Sequence, residues 1–317
     1  MPRLSIIIPL LGDPRKLDDT LVSVLENRPA NCEILIVHNR PYDDPYQLSD
    51  EVCFLETRSG AGIVECLSTG ISASCGPIVH VLSCGVEVCP GWADAALRRF
   101  RDADVAAVAA VVLRRDDGRR VVSAGMGYRD EGTPWRVGQG QDAARVAAWV
   151  SDLRGPDLLA AFYRKSAVEA VGGFAAWATD SVAATDMALM LQHAGFHCVL
   201  EPQCAAHVAP AAAAVRPSLA YGRDAERLFW RWVSTNGWMR SLAGHAAMLV
   251  GQCVTSPLRP TTAAQLVGRC CGALQAMFQR RRTLPEPTER NEPSMAPGPH
   301  LAVGTERTRP RKSARVA

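Results

Sequence analysis

Residues 78–92, IVHVLSCGVEVCPGW, decide how the chain is read. The nearly continuous apolar run from Ile78 to Leu82 marks a strand covered on both faces. The turn Ser83-Cys84-Gly85 follows, and Pro90 opens a helix-period segment over 90–101. In a sheet of parallel strands ligands gather where the strands end, so this turn stands where chemistry is expected. It carries no carboxylate, His or Lys until Glu87.

Outward from that stretch the same alternation recurs. Residues 4–9, 33–37 and 105–113 are short runs rich in Ile and Val, and helix-period segments fill 14–26 and 61–74. Strands alternating with helices predict a right-handed, mostly parallel sheet with helices on both faces. Over 114–155 the pattern weakens: RRDDGRR reads as a solvated turn, GYRDEGTPW as a loop and QDAARVAAWVSDL as a helix. An extended run to Tyr163, a short helix at 166–171, a helix at 181–194 and a strand at 196–202 complete a core ending near 212.

Residues 217–282 differ in kind, reading as three helices whose faces mix Trp, Phe and Leu with Arg. They form either a helical appendage packed on the core or a segment lying on an anionic membrane. The stretch 283–317, rich in Pro and Arg and poor in apolar residues, has too little to bury and is expected to be disordered.

Composition narrows the function. The 317 residues are 48% hydrophobic and 21% charged, and the net charge of +3 falls short of the concentrated positive excess of a nucleic-acid binder. Eleven scattered cysteines, without C-x-x-C pairs or zinc-finger spacing, fit buried thiols in a reducing compartment. The opening MPRLSIIIPL has an apolar run too short for a signal peptide, and no segment reaches membrane-spanning length. The expected location is the cytoplasm, extending to the inner face of the membrane.

Several segments, in order, resemble the family 2 glycosyltransferases. LSIIIPLLGDPRKLDDTLVSVLENRPANCEILIVHN is similar to that family's opening strand, helix and second strand, and ETRSGAGIVECLSTGISASCGPIVHVL to its glycine-bearing helix and fourth strand. SCGVEVCPGW looks like the turn that carries a metal-binding acidic motif; FYRKSAVEAVGGF and TDMALMLQHAGFHCVLEPQCAAH are similar to the acceptor-side segment. The resemblance spans about 4–207 and implies a GT-A nucleotide-sugar-binding α/β fold with a C-terminal helical appendage. It also implies transfer of a sugar from a nucleotide diphosphate sugar to a hydroxyl of a glycan or lipid-linked acceptor, with inversion.

Laid on that pattern, Asp186 of Thr185-Asp186 matches the acidic pair and is the candidate general base; an acid near a helix N-terminus equally serves the helix. His38 and Asn39 end the second strand where the nucleotide base is read, with turn chemistry as the alternative. Gly60 and Gly62 would let backbone N–H groups approach phosphate or ribose. His207 falls where a metal- or diphosphate-contacting His is placed, and Arg164 is a candidate for the diphosphate, with Lys165, Arg114 and Arg115 as further cations.

Ser83 and Gly85 occupy the places of the acidic metal ligands. Mg²⁺ or Mn²⁺ wants hard oxygen ligands, usually including carboxylates, and a metal at the leaving group stabilises the transition state by several kcal/mol. At ~1.4 kcal/mol per factor of ten, uncompensated loss of both acids predicts transfer slowed about a thousandfold or more. The alternative is a catalytically inactive relative that binds a nucleotide or a partner protein.

Overall fold

The computed structural model describes residues 1–209, 217–233 and 238–278. Its first half follows the expected alternation: β1 (Leu4–Leu10), α1 (Arg15–Asn27), β2 (Cys32–His38), β3 (Cys53–Glu56), α2 (Ile63–Ala73), β4 (Ile78–Leu82), β5 (Val86–Val88), α3 (Trp92–Arg99) and β6 (Val105–Arg114). Then come three short strands, β7 (Val121–Ser123), β8 (Met126–Arg129) and β9 (Thr133–Arg136), and a 3₁₀ helix over Ala143–Asp152. The chain closes with β10 (Ala160–Arg164), α4 (Lys165–Ala170), α5 (Asp180–His193), β11 (His197–Val208), α6 (Leu219–Trp232), α7 (Trp238–Thr255) and α8 (Pro260–Phe278).

The main sheet runs β3-β2-β1-β4-β10-β6-β11-β5, with β7 on β6. Neighbours β1, β2, β3 and β4 pair parallel, as do β6 and β11. Within this α/β sheet β10 inserts antiparallel between β4 and β6, and β5 pairs antiparallel with β11.

Period-2 geometry sends successive side chains of β1 to opposite faces. Ile7 joins the core beneath α2, α4 and α5, with Leu67, Val168 and Met187. Ile6 and Ile8 join a second core beneath α1 and α3, with Leu21 and Trp92. All three isoleucines are fully buried, each contributing roughly 1.5–3 kcal/mol of burial. Both faces being covered explains why these strands read as unbroken apolar runs.

Residues 114–155 depart most from expectation. GYRDEGTPW is not a loop but contains the β8–β9 hairpin, in which Gly127 faces Trp135. A Cβ at Gly127 would fall on the indole ring, so glycine there is what lets the ring lie on the strand. The segment expected as an α-helix is the tighter 3₁₀ form, capped by Asp142 accepting from the Ala144 N–H at 2.9 Å.

The three expected appendage helices are α6, α7 and α8. No helix among the described residues is long and apolar enough to cross a membrane. The expected core boundary near 212 and the tail at 283–317 lie outside the described residues.

Candidate functional site

A cleft of about 670 Å³ opens where the parallel strands end. Pro9, Leu11 and Gly12 leave β1, Ser83 and Cys84 leave β4, and Val208 ends β11. The head of α5 contributes Thr179, Asp180 and Ser181, and the start of α6 contributes Ser218, Ala220 and Tyr221. Its charged lining is Asp13, Asp157, Asp180, Lys16 and Arg136.

Two of these groups form a buried pair, the Arg136 Nε donating to Asp157 Oδ2 at 2.6 Å. Asp157 Oδ1 also accepts from the Leu159 N–H at 3.1 Å, which fixes the carboxylate as the chain enters β10. Asp180 stands beside them. Burial first, and then the Asp157 carboxylate, push its carboxyl up, while Arg136 opposes the shift. Its backbone φ is 28°, a left-handed value that a residue with a Cβ adopts only at a cost of roughly 1–3 kcal/mol. Strain and a shifted pKa on one acid in a cleft are what a reactive carboxylate shows.

The Ser83–Gly85 turn does face the cleft, through Ser83 and Cys84. Its polar groups are already engaged. Ser83 Oγ donates to the Leu158 carbonyl at 2.9 Å, and the Gly85 N–H donates to Lys16 O and Thr20 Oγ1. Cys84 donates to Pro9 O, and burial pushes its thiol up to about 12, so it stays a neutral floor residue. Gly85 has φ 87°, and the Lys16 side chain lies over it. A cation from α1 therefore covers the turn at which the family resemblance places acidic ligands. Among the described residues no group of three or more His, Cys, Asp and Glu converges as a metal's ligands. The turn's donor set does not fit a divalent ion.

Beyond the cleft's Ile63 lies the head of α2, preceded by Gly60 and Gly62. Gly60 has φ 77°, and both glycines border open space. Asn39 reaches this loop, its Nδ2 donating to Ala61 O at 2.8 Å. The Asn39 side chain is buried, and its Oδ1 has no hydrogen-bond partner among the described residues. An orphaned buried acceptor normally costs about 1–3 kcal/mol, and a ligand N–H would satisfy it. His38 Nδ1 donates to Arg40 O at 2.8 Å, shaping the strand end.

Three expected site residues lie elsewhere. Asp186 is buried, its carboxylate accepting from Arg231 Nη1 at 2.9 Å and Trp232 Nε1 at 3.1 Å. Six residues past Asp180, it lies about 240° further round α5, against α6 rather than the cleft. Arg164 lies at the opposite end of the sheet, since antiparallel β10 runs back until Arg164 faces Ile78. There it donates to Phe100 O and Asp102 O, closing the C-terminal end of α3. His207 precedes the cleft-lining Val208 and so points to the other face of β11, its Nδ1 3.4 Å from Cys89 Sγ. The other suggested cations are engaged too: Arg114 pairs with Asp116, Arg115 with Glu87 and Asp19, and Lys165 donates to Ser74 O.

Sequence reasoning missed Lys16, Arg136, Asp157 and Asp180. The signal at Asp180 was its place at a helix head after the Gly-Gly stop; the Arg136–Asp157 pair spans 21 residues and left none.

No protein-family model matches the sequence, and no curated protein matches it. Solved structures do. The chain superposes on GalNAc-T7 with UDP, GalNAc and Mn²⁺ at TM-score 0.56 and 12% identity, covering 74% of this chain. It spans about half, 48%, of the GalNAc-T7 chain. It also superposes on the mannosyltransferase PcManGT from Pyrobaculum calidifontis in complex with GDP-Man and Mn²⁺, at TM-score 0.50 and 16% identity, covering 87% of each chain. The fold is therefore that of the GT-A-like glycosyltransferases.

Proposed function

We propose that this chain is a glycosyltransferase that binds a nucleotide diphosphate sugar in the 670 Å³ cleft and transfers the sugar to an acceptor hydroxyl. The observation that carries the reading is Asp180, an acid with a raised pKa and strained backbone at the cleft wall beside Arg136. Asp180 takes the proton of the attacking hydroxyl, a role worth about 10²–10⁴ in rate. The hydroxyl oxygen bonds to the anomeric carbon as the bond to the diphosphate breaks, and the diphosphate leaves with the electron pair. One displacement of this kind inverts the anomeric centre, in keeping with the resemblance to family 2. Lys16 and Arg136 supply positive charge towards the leaving diphosphate, and no step is drawn through a metal. In this reading the nucleoside extends past Ile63 of the cleft towards the Gly60–Gly62 loop, and Asn39, bonded to Ala61 O, holds that loop.

The test offers UDP- and GDP-sugars to the full chain, with and without Mn²⁺, and measures free nucleoside diphosphate. Asp180→Asn should lower release at least about a hundredfold without lowering the melting temperature. No release above background across the donor set would overturn the reading.

The engaged polar groups of the Ser83–Gly85 turn favour a second reading, an inactive relative that retains nucleotide binding; stabilisation by UDP without turnover would select it. Peripheral contact with a membrane through residues 217–282 fits either reading, because Val250 and Val254 of α7 and Val267, Leu274 and Met277 of α8 are exposed. Failure to sediment with anionic vesicles at low salt would remove that contact.

A further inference from the structure

A second cavity, of about 520 Å³, adjoins the cleft through a shared wall residue, Arg136. Its other walls include Arg129, Arg145, Trp135, Trp149 and Gln141. Three arginines and no acidic residue line this space. Arg129 lies over the Trp135 ring, 5.4 Å from its centroid, and Arg145 donates to Gln141 Oε1 at 3.4 Å. Neither forms a salt bridge among the described residues, whereas Arg136 already pairs with Asp157. The two indoles are set by glycine: a Cβ at Gly127 would fall on Trp135, and one at Gly138 on Trp149. Flat aromatic walls stack on the apolar faces of pyranose rings, amide side chains bond hydroxyls, and planar guanidinium forks bind carboxylate or phosphate in two-point fashion. The volume lies in the ordinary range for small-ligand sites.

We propose that this cavity is the acceptor subsite and that the acceptor is an anionic saccharide, carrying a carboxylate or phosphate that Arg129 and Arg145 grip while half-buried Trp135 walls its rings and Trp149, buried in the core behind, backs the site. The proposal rests on the glycosyltransferase reading and deepens it by naming the acceptor's chemistry. Arg136, shared between the cavities, puts the gripped saccharide next to Asp180.

Binding to the full chain is followed by tryptophan fluorescence with three probes: a glucuronate-bearing tetrasaccharide, a 6-phosphorylated maltotetraose and unmodified maltotetraose. At least one anionic probe should bind tenfold or more tightly than the neutral one, and which one identifies the anion. The double variant Arg129→Gln/Arg145→Gln should erase that preference and leave any melting shift by UDP unchanged; both arginines are exposed, so the fold should stand. Rising salt should weaken the anionic probe selectively in the unmodified protein. Equal binding of all three probes, binding of none, retention of the preference by the double variant, or tighter binding of a short single-stranded RNA would overturn it. A UDP shift without anionic preference rejects the subsite alone; anionic preference without nucleotide binding rejects the donor reading alone.

Discussion

Asp180 and Asp186 are six residues apart on one helix, and their surroundings assign them opposite work. Asp186 faces Arg231 and Trp232 in a buried interface. Asp186→Asn should therefore cost stability, about 3–5 kcal/mol for leaving a buried charge without its partner, read by chemical denaturation, with turnover per folded molecule little changed. Asp180→Asn should do the reverse. A general base works deprotonated, so a carboxyl pushed up should also raise the pH at which the acid limb of kcat/KM falls, compared with an ordinary carboxylate. His80 makes a separate prediction. Its Nε2 accepts from Trp92 Nε1 at 3.2 Å, so the proton sits on Nδ1, which bonds Ala161 O. The ring stacks on Phe162 at 3.7 Å, and burial lowers its pKa to about 3. The unfolded chain binds that proton near the ordinary value of about 6.5, so this contribution to stability is whole above that pH and is lost as pH falls towards 3. Denaturation midpoints measured from pH 7 to 4 should fall less steeply in His80→Gln than in the unmodified protein, from a lower starting value.

Helices α6 and α8 meet backbone to backbone through glycine. A Cβ at Gly268 would strike the Leu219 carbonyl, one at Gly272 the Arg223 carbonyl, and one at Gly222 that of Gln265. Gly268→Ala should push the helices apart and cost about 1–3 kcal/mol, seen as a lower denaturation midpoint, despite alanine's better helix propensity. Beside this contact Glu226 bonds both Arg269 at 3.0 Å and His245 at 3.1 Å, tying α6 to α8 and α7. These features separate what the sequence could reveal from what it could not. Strands β1, β2, β4 and β6 were legible because burial on both faces leaves an uninterrupted apolar run. The β8–β9 hairpin was not, since Gly127, Pro134 and neighbouring charges blur alternation and only the Trp135 ring explains them. The Glu226 network joins residues 19 and 43 positions apart, which no local period registers. At the site the turn at Ser83 was legible from its strand, while its partners Lys16, Arg136 and Asp180 arrive from three other elements.

The cleft draws its walls from β1, β4, the entry to β10, α5 and α6, so a ligand bound there bridges both halves of the core and the first appended helix. A nucleotide that binds only the folded chain should stabilise it by about 2.7 kcal/mol at a hundred times its Kd, and a thermal melt with UDP or GDP should move as one transition. Asp13, Asp157 and Asp180 sit in the same wall as Lys16 and Arg136, so raising salt should weaken nucleotide binding only modestly. The central antiparallel strand has a consequence for how the molecule is made. β4 is complete at Leu82, yet its outer neighbour β10 begins at Ala160. While the chain is being synthesised, a Val- and Ile-rich strand must wait with bare N–H and C=O groups until residue 164 has left the ribosome, a template for unwanted pairing between nascent chains. Truncations ending between 82 and 160 should accumulate in the insoluble fraction, and those that also carry α6, whose Leu228 and Trp232 complete the core, should recover.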